Sequence, residues 1–339
     1  MTLGTTVNKP NCLIVGAGIC GLIVATILQG QGWPVTVLDK GRGLGGRLAT
    51  RRLRHADQVG CFDYGAQYFT VSQPAFQAWV DQWQAAGVVT PWGQNFAKVD
   101  GTIRQTDKVA YRGLSSNRGL AQYLAQNLTV FHPVRVERLC WQKGQWWLEG
   151  DNAQDWQADI VVLTPPLPQS LDLLAQSQIA LPTDVDQALA AVSYTPCLAL
   201  LALLEKPSRI PAPGGLWGTG EPLVWLACNE NKGISPQGHA VTLHAGPQFS
   251  QAYFSASEAE ITAFLLAAAA PWLGSPPLTT HLHRWRYSLV TNPYPDSYLS
   301  LDQPGPLYLG GDAFGAGKIE GAVLSGHAMA EQILSHHVP

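Results

Sequence analysis

Gly16-Ala17-Gly18-Ile19-Cys20-Gly21 sets three glycines in G-x-G-x-x-G spacing directly after an apolar run at residues 11–15. Such glycines allow a tight turn and close backbone approach to a phosphate, and the helix that follows offers the same anion its unpaired N–H groups. Asp39 closes the next apolar run, residues 34–38, 18 residues after Gly21. A carboxylate there can hold ribose hydroxyls. The chemistry these positions suit is dinucleotide recognition. Lys40, Arg42, Arg47, Arg51, Arg52 and Arg54 follow with no acid among them. Guanidinium groups on a glycine-rich loop suit further phosphate contacts, so the whole stretch is expected to lie on a loop that meets phosphates.

The elements that must position these residues are legible as hydrophobic patterns. Residues 11–15 and 34–38 read as buried strands and 19–31 as a helix, a β-turn-α-β unit. Helices are expected over 74–86, 117–127, 184–191, 258–270 and 321–336. Strands are expected over 134–141, 146–149, 159–163, 197–204, 223–227, 240–245 and 307–309, with hairpin turns at 99–102 and 142–145. A strand-turn-helix at each end of the chain, with mixed material between, predicts an α/β protein. Its Rossmann-like doubly wound domain would comprise residues 1–72, 113–170 and 283–339, and an inserted α+β substrate domain residues 73–112 and 171–282.

At roughly 150 residues per domain, 339 residues suit two domains. Charged residues are only 13% and the net charge is −3, which gives no footprint for nucleic acid or a membrane surface. Six scattered cysteines without a C-x-x-C pair suit a reducing, cytoplasmic setting. Neither a signal peptide nor a membrane-spanning apolar run is expected. His281 and His283 share one strand face but lack a third ligand nearby, so no metal is expected. Trp79, Trp83 and Trp92 are expected to pack a core rather than to cage a substrate.

Asp39 followed by Arg42-Gly43-Leu44-Gly45-Gly46-Arg47 resembles the second-strand signature of the flavin amine oxidase superfamily, an acid and then R-x-x-G-G-R. Leu307-Tyr308-Leu309-Gly310-Gly311-Asp312 with Glu320-Gly321-Ala322-Val323 resembles that superfamily's closing FAD motif. The stretches 47–52, 62–70 and 283–287 are similar to renalases, especially bacterial ones. The resemblance implies an architecture like that of p-hydroxybenzoate hydroxylase and amine oxidases, with non-covalent FAD. By it, Asp39 binds the adenosine ribose, Arg42 and Arg47 lie near the pyrophosphate and flavin, and Asp312 meets the ribityl or phosphate region. The helix N-terminus at Gly321, Ala322 and Val323 would point at the flavin pyrimidine oxygen. Gly16, Ala17, Gly18, Gly21, Lys40, Gly46, Gly65, Ala66, Gln67, Val134 and Thr164 complete the implied cofactor contacts.

The resemblance further implies an oxidase that takes hydride from 2- or 6-dihydro isomers of NAD(P)H, returns NAD(P)+ and reduces O2 to hydrogen peroxide. A flavin-dependent amine oxidase is the alternative. The absence of a second dinucleotide motif and of a G-x-S-x-G elbow agrees with such a reaction. Gln67, Tyr68, Trp285, Arg286 and Tyr287 are expected to position the substrate. Strand alternation sets Trp285 and Tyr287 on one side and Arg284 and Arg286 on the other.

Overall fold

The computed structural model describes residues 9–151 and 153–337; the polar start, residues 1–8, on which the signal-peptide expectation bears, lies outside them. Two compact units emerge, Met1–Gly46 with Ala121–Ser193 and Asn292–Pro339, and Arg47–Leu120 with Tyr194–Thr291. Among the described residues no helix is long and apolar enough to cross a membrane.

The first unit is built on a six-stranded sheet in the spatial order Leu299–Leu301, Leu307–Leu309, Ile160–Leu163, Cys12–Val15, Val35–Leu38, Thr129–Phe131. All neighbours pair in parallel except the edge strand Leu299–Leu301. Parallel strands covered on both faces must be apolar throughout. Cys12–Val15, Ile160–Leu163 and Leu307–Leu309 are accordingly buried at every position. From Cys12–Val15 the chain goes first to Val35–Leu38 on one side, while Ile160–Leu163 pairs on the other. Strand order therefore reverses between Val15 and Leu163, at the carboxyl ends where open α/β sheets bind their ligands. The helices Ile19–Gly30 and Lys318–His336 pack together at Gly326, where a Cβ would come within 2.6 Å of the Cys20 carbonyl oxygen.

The second unit holds a six-stranded sheet ordered Pro277–Asn292, Ser193–Leu204, His239–Ala245, Leu223–Cys228, Gly215–Trp217, Ala97–Lys98. Leu198, Leu200, Ala202 and Leu204 share a core with Ile261, Leu265 and Leu273 of the helix Glu258–Leu273. On the opposite face Leu201, Leu203 and Ala240 pack on Phe62. An apolar run without alternation thus marks a strand buried on both sides.

The units divide at 46/47, 120/121, 193/194 and 291/292, against expected limits of 72/73, 112/113, 170/171 and 282/283. Packing explains the differences. The hairpin Thr50–His55 with Gln58–Asp63 joins the second unit through Phe62 and through Val59 N donating to Gln237 O at 3.0 Å. The helix Leu167–Gln176 is held in the first unit, where Leu139 N donates to Ser177 Oγ at 2.8 Å. Pro277–Asn292 is one continuous strand of the second sheet.

That hairpin also corrects the basic stretch. Arg51, Arg52 and Arg54 are exposed on a strand paired with Gln58–Asp63, so only Lys40 and Arg42 belong to the loop after Asp39, and Arg47 sits in the short 3-10 helix Gly46–Leu48 that follows it. The closing helix begins at Lys318 instead of Gly321. Gly321 N donates to Gly317 O at 2.8 Å, which puts Gly321, Ala322 and Val323 past the helix start.

Candidate functional site

In the first unit the glycine turn shows what each glycine is for. Gly16 has φ +107°, and a Cβ there would lie 2.6 Å from Thr164 Oγ1; a Cβ on Gly21 would lie 2.1 Å from Gly16 O. These two are fixed by packing. A Cβ on Gly18 would meet nothing within 4 Å, so this glycine borders open space at the start of Ile19–Gly30, a helix with no side-chain cap. Bare backbone and uncapped N–H groups around open space are what a pyrophosphate needs.

Asp39 organises the surroundings. Its Oδ2 accepts from Ala17 N and its Oδ1 from Gly41 N, both at 2.6 Å. Asp39 O accepts from Val134 N at 2.8 Å. Gly45 N donates to Ala17 O at 2.9 Å, and a Cβ on Gly46 (φ +53°) would lie 3.6 Å from Gly18 Cα. The carboxylate therefore ties the glycine turn to the loop 40–46, with lone pairs left over for a ribose. Lys40 Nζ donates to Gln169 Oε1 at 2.8 Å, and burial with the nearby Arg135 lowers its pKa. Arg42 is exposed. Thr164 Oγ1 lies 3.0 Å from Val15 O and 3.1 Å from Gly16 O, and Asp312 is buried beside Gly311, whose N donates to Ser325 Oγ. The donor set fits a dinucleotide of the FAD type.

In the second unit Arg47, Gly65, Gln67 and Trp285 come together. Arg47 Nη1 donates to the carbonyls of Tyr287 and Ser288 at 3.2 and 3.4 Å, and Arg47 O accepts from Ala66 N at 2.8 Å. A Cβ on Gly65 would lie 2.1 Å from Arg47 O and 3.3 Å from the Trp285 ring. Trp285 stacks on Tyr64 with centroids 5.3 Å apart and donates through Nε1 to Tyr64 O at 2.9 Å. Arg286 is exposed and sits over Phe254, 5.3 Å from its centroid, while Arg284 donates to Phe254 O and Ala256 O. The alternation holds, and it separates Arg286 from Trp285. Tyr287 packs on Tyr194. Tyr68 turns into a cluster of Trp92, Phe96 and Trp225, where burial raises its pKa. Trp83 and Trp92 are core residues.

Sequence reasoning missed the most enclosed charges. Lys232 Nζ donates to Asp63 Oδ2 at 2.8 Å and to Gln67 O at 2.7 Å, with both charged side chains fully buried. Burial pushes the Lys232 pKa down and the Asp63 charge opposes that. The signal available was a lone lysine just after the apolar strand Leu223–Cys228 in a charge-poor chain.

His244 Nε2 lies 3.0 Å from Tyr64 O, and burial pushes its pKa down to about 4. The unfolded chain takes up a proton near pH 6.5 that the folded protein refuses until about pH 4. Stability should therefore fall as pH drops through that window, by about 1.4 kcal/mol per unit at most. His244→Gln, which can still donate to Tyr64 O, should flatten that slope in denaturant melts from about pH 7 to about pH 4.5; an unchanged slope would assign it to other groups.

Comparison with known proteins agrees with this geometry. A model for an NAD(P)-binding Rossmann-like domain matches residues 14–83, and one for flavin containing amine oxidoreductase matches residues 103–334, more than half of the chain. Renalase from Mus musculus is 28% identical over 331 residues, covering 92% of this chain and 95% of that one. A putrescine oxidase bound to putrescine superposes with a TM-score of 0.71 at 16% identity, covering 97% of this chain and 99% of the other. Cyclohexylamine oxidase from Brevibacterium oxydans gives 0.72 at 15%, covering 96% and 99%. Those two likenesses are of fold. The chain belongs to the flavin-containing amine oxidoreductase family and is an FAD-dependent oxidoreductase.

Proposed function

We propose that the protein is a renalase-type oxidase, converting 2- or 6-dihydro isomers of NAD(P)H to NAD(P)+ while O2 becomes hydrogen peroxide. The observation that carries this reading is the similarity to renalase along nearly the whole of both chains. FAD held in the dinucleotide site would supply the two-electron acceptor for the hydride and the route by which the electrons reach O2. Loss of hydride from a dihydropyridine leaves an aromatic cation and no proton to remove. The chain's side chains suit that demand: Lys232 is spent on Asp63 and Gln67 O, and His244 on Tyr64 O.

In this reading Gly16, Gly18, Asp39 and the loop through Gly46 hold the dinucleotide half of FAD, with Lys40, Arg42, Val134, Thr164 and Asp312 around them. Gly65, Ala66, Gln67 and Trp285 border the flat ring of the substrate, and Arg47 and Tyr287 brace them. Tyr68 and Arg286 act at one remove. The fold shared with putrescine and cyclohexylamine oxidases favours amine oxidation as the second reading.

Anaerobic mixing of the purified protein with a dihydronicotinamide isomer, ordinary NADH and a panel of amines separates the two. Rapid loss of the visible flavin band with the isomer alone is the expected result. Bleaching by amines moves the assignment to the second reading.

A further inference from the structure

Gln67 is buried, and its Nε2 donates to Asp63 O at 2.6 Å and Gly65 O at 3.2 Å. Two carbonyls on that side fix which end of the amide is nitrogen, since exchange would set oxygen against oxygen. Its Oε1 is then buried with no hydrogen-bond donor among the described residues, a costly state for an amide oxygen unless a ligand supplies the donor.

The same residue is gripped from behind. Lys232 donates to Gln67 O and to Asp63 Oδ2, and its ammonium lies 4.9 Å from the Trp92 ring centroid. Asp63 Oδ1 accepts from Thr50 Oγ1 at 2.6 Å and from Asn117 N at 3.1 Å, while Asn117 Nδ2 donates to Ala66 O at 2.6 Å. Both charges are thus engaged by protein groups, the ammonium by two acceptors and the carboxylate by three donors. One fully desolvated ammonium, itself held by an equally buried carboxylate, grips the backbone carbonyl of a glutamine whose side-chain acceptor is unused, and buried ion pairs serve geometry better than stability.

We propose that the Lys232–Asp63 pair is a positioning device that presets Gln67 Oε1 to accept a hydrogen bond from an N–H of a flat heterocyclic ligand, and that the donor is the carboxamide NH2 of the dihydronicotinamide. The carboxamide assignment rests on the renalase-type reading. The flavin's own ring N–H is the other source of that chemistry.

The test compares the dihydro isomer with its acetyl analogue, which carries a methyl where the carboxamide has NH2. Flavin bleaching gives kcat/KM for each, using wild type, Gln67→Met and the charge-free double variant Lys232→Met/Asp63→Asn. Wild type should prefer the carboxamide by about 10- to 100-fold, one directed hydrogen bond to an otherwise unpaired acceptor. Gln67→Met should bring the ratio near one, and the double variant should lower it while keeping flavin colour. A merely structural pair would shift the melting temperature and leave the ratio alone. A wild-type ratio near one, or a ratio unmoved in both variants, overturns the carboxamide assignment. If Gln67→Met instead weakens FAD retention at an unchanged ratio, the donor is the flavin and the carboxamide assignment is again overturned. Bleaching by neither dinucleotide overturns the renalase-type reading itself, and FAD retention then decides whether Gln67 serves the flavin; unchanged retention sinks the proposal.

Discussion

Lys232→Met should lower the stability of the holoprotein by about 3–5 kcal/mol, because it strands the Asp63 carboxylate in a site with no exposure. Adding Asp63→Asn should return most of that loss, since the substituted amide can still accept from Thr50 Oγ1 and the Asn117 backbone N–H and no charge remains buried. Asp63→Asn alone should fall between the two. Its stranded lysine can shed a proton, burial having already lowered its pKa, so the unfolded chain binds more protons and stability rises with pH through that window. Urea melts at fixed FAD excess measure all three. Equal losses in the Lys232→Met single variant and the double variant would show that packing around Lys232, not charge pairing, holds this region.

The part of this protein legible in its sequence is the part governed by local rules. Gly16, Gly18 and Gly21 next to an apolar strand, and Asp39 after the next, specify the turn, the uncapped helix and the acceptor, because φ, helix termini and strand ends depend on neighbours along the chain. The closing strand Leu307–Leu309 was legible for the same reason. Lys232 and Asp63 are 169 residues apart, and nothing local announces that the fold brings them together. The strand Thr50–His55 hides behind four basic residues with Leu53 as its apolar member; its identity comes from pairing with Gln58–Asp63. The closing helix starts early because Gly317 and Lys318, both at positive φ, turn the chain into it. Gly321 is glycine for room, a Cβ there lying 3.0 Å from the Ala316 carbonyl carbon.

Asp39→Ala should weaken FAD binding by roughly 100-fold or more, since it removes the charged acceptor proposed for the ribose, worth about 1.5–3 kcal/mol per hydrogen bond, and the backbone ties that preset the cradle. Both carboxylate oxygens receive backbone N–H groups at 2.6 Å, one from Ala17 in the glycine turn and one from Gly41 in the next loop. Removing them frees two loops whose relative placement forms the dinucleotide cradle, besides deleting the acceptor proposed for the ribose. Asp39→Asn should recover only part of the affinity despite its shape. An amide has one acceptor oxygen, so its NH2 must face one of the two donors. Arg138 is exposed and 3.9 Å from Glu149, and as a control Arg138→Ala should leave affinity unchanged. Titration of deflavinated protein with FAD, followed by quenching of flavin fluorescence, gives the dissociation constants of wild type and the three variants. Full affinity in Asp39→Asn would mean that one acceptor suffices and that the carboxylate's second bond contributes nothing to holding the cofactor.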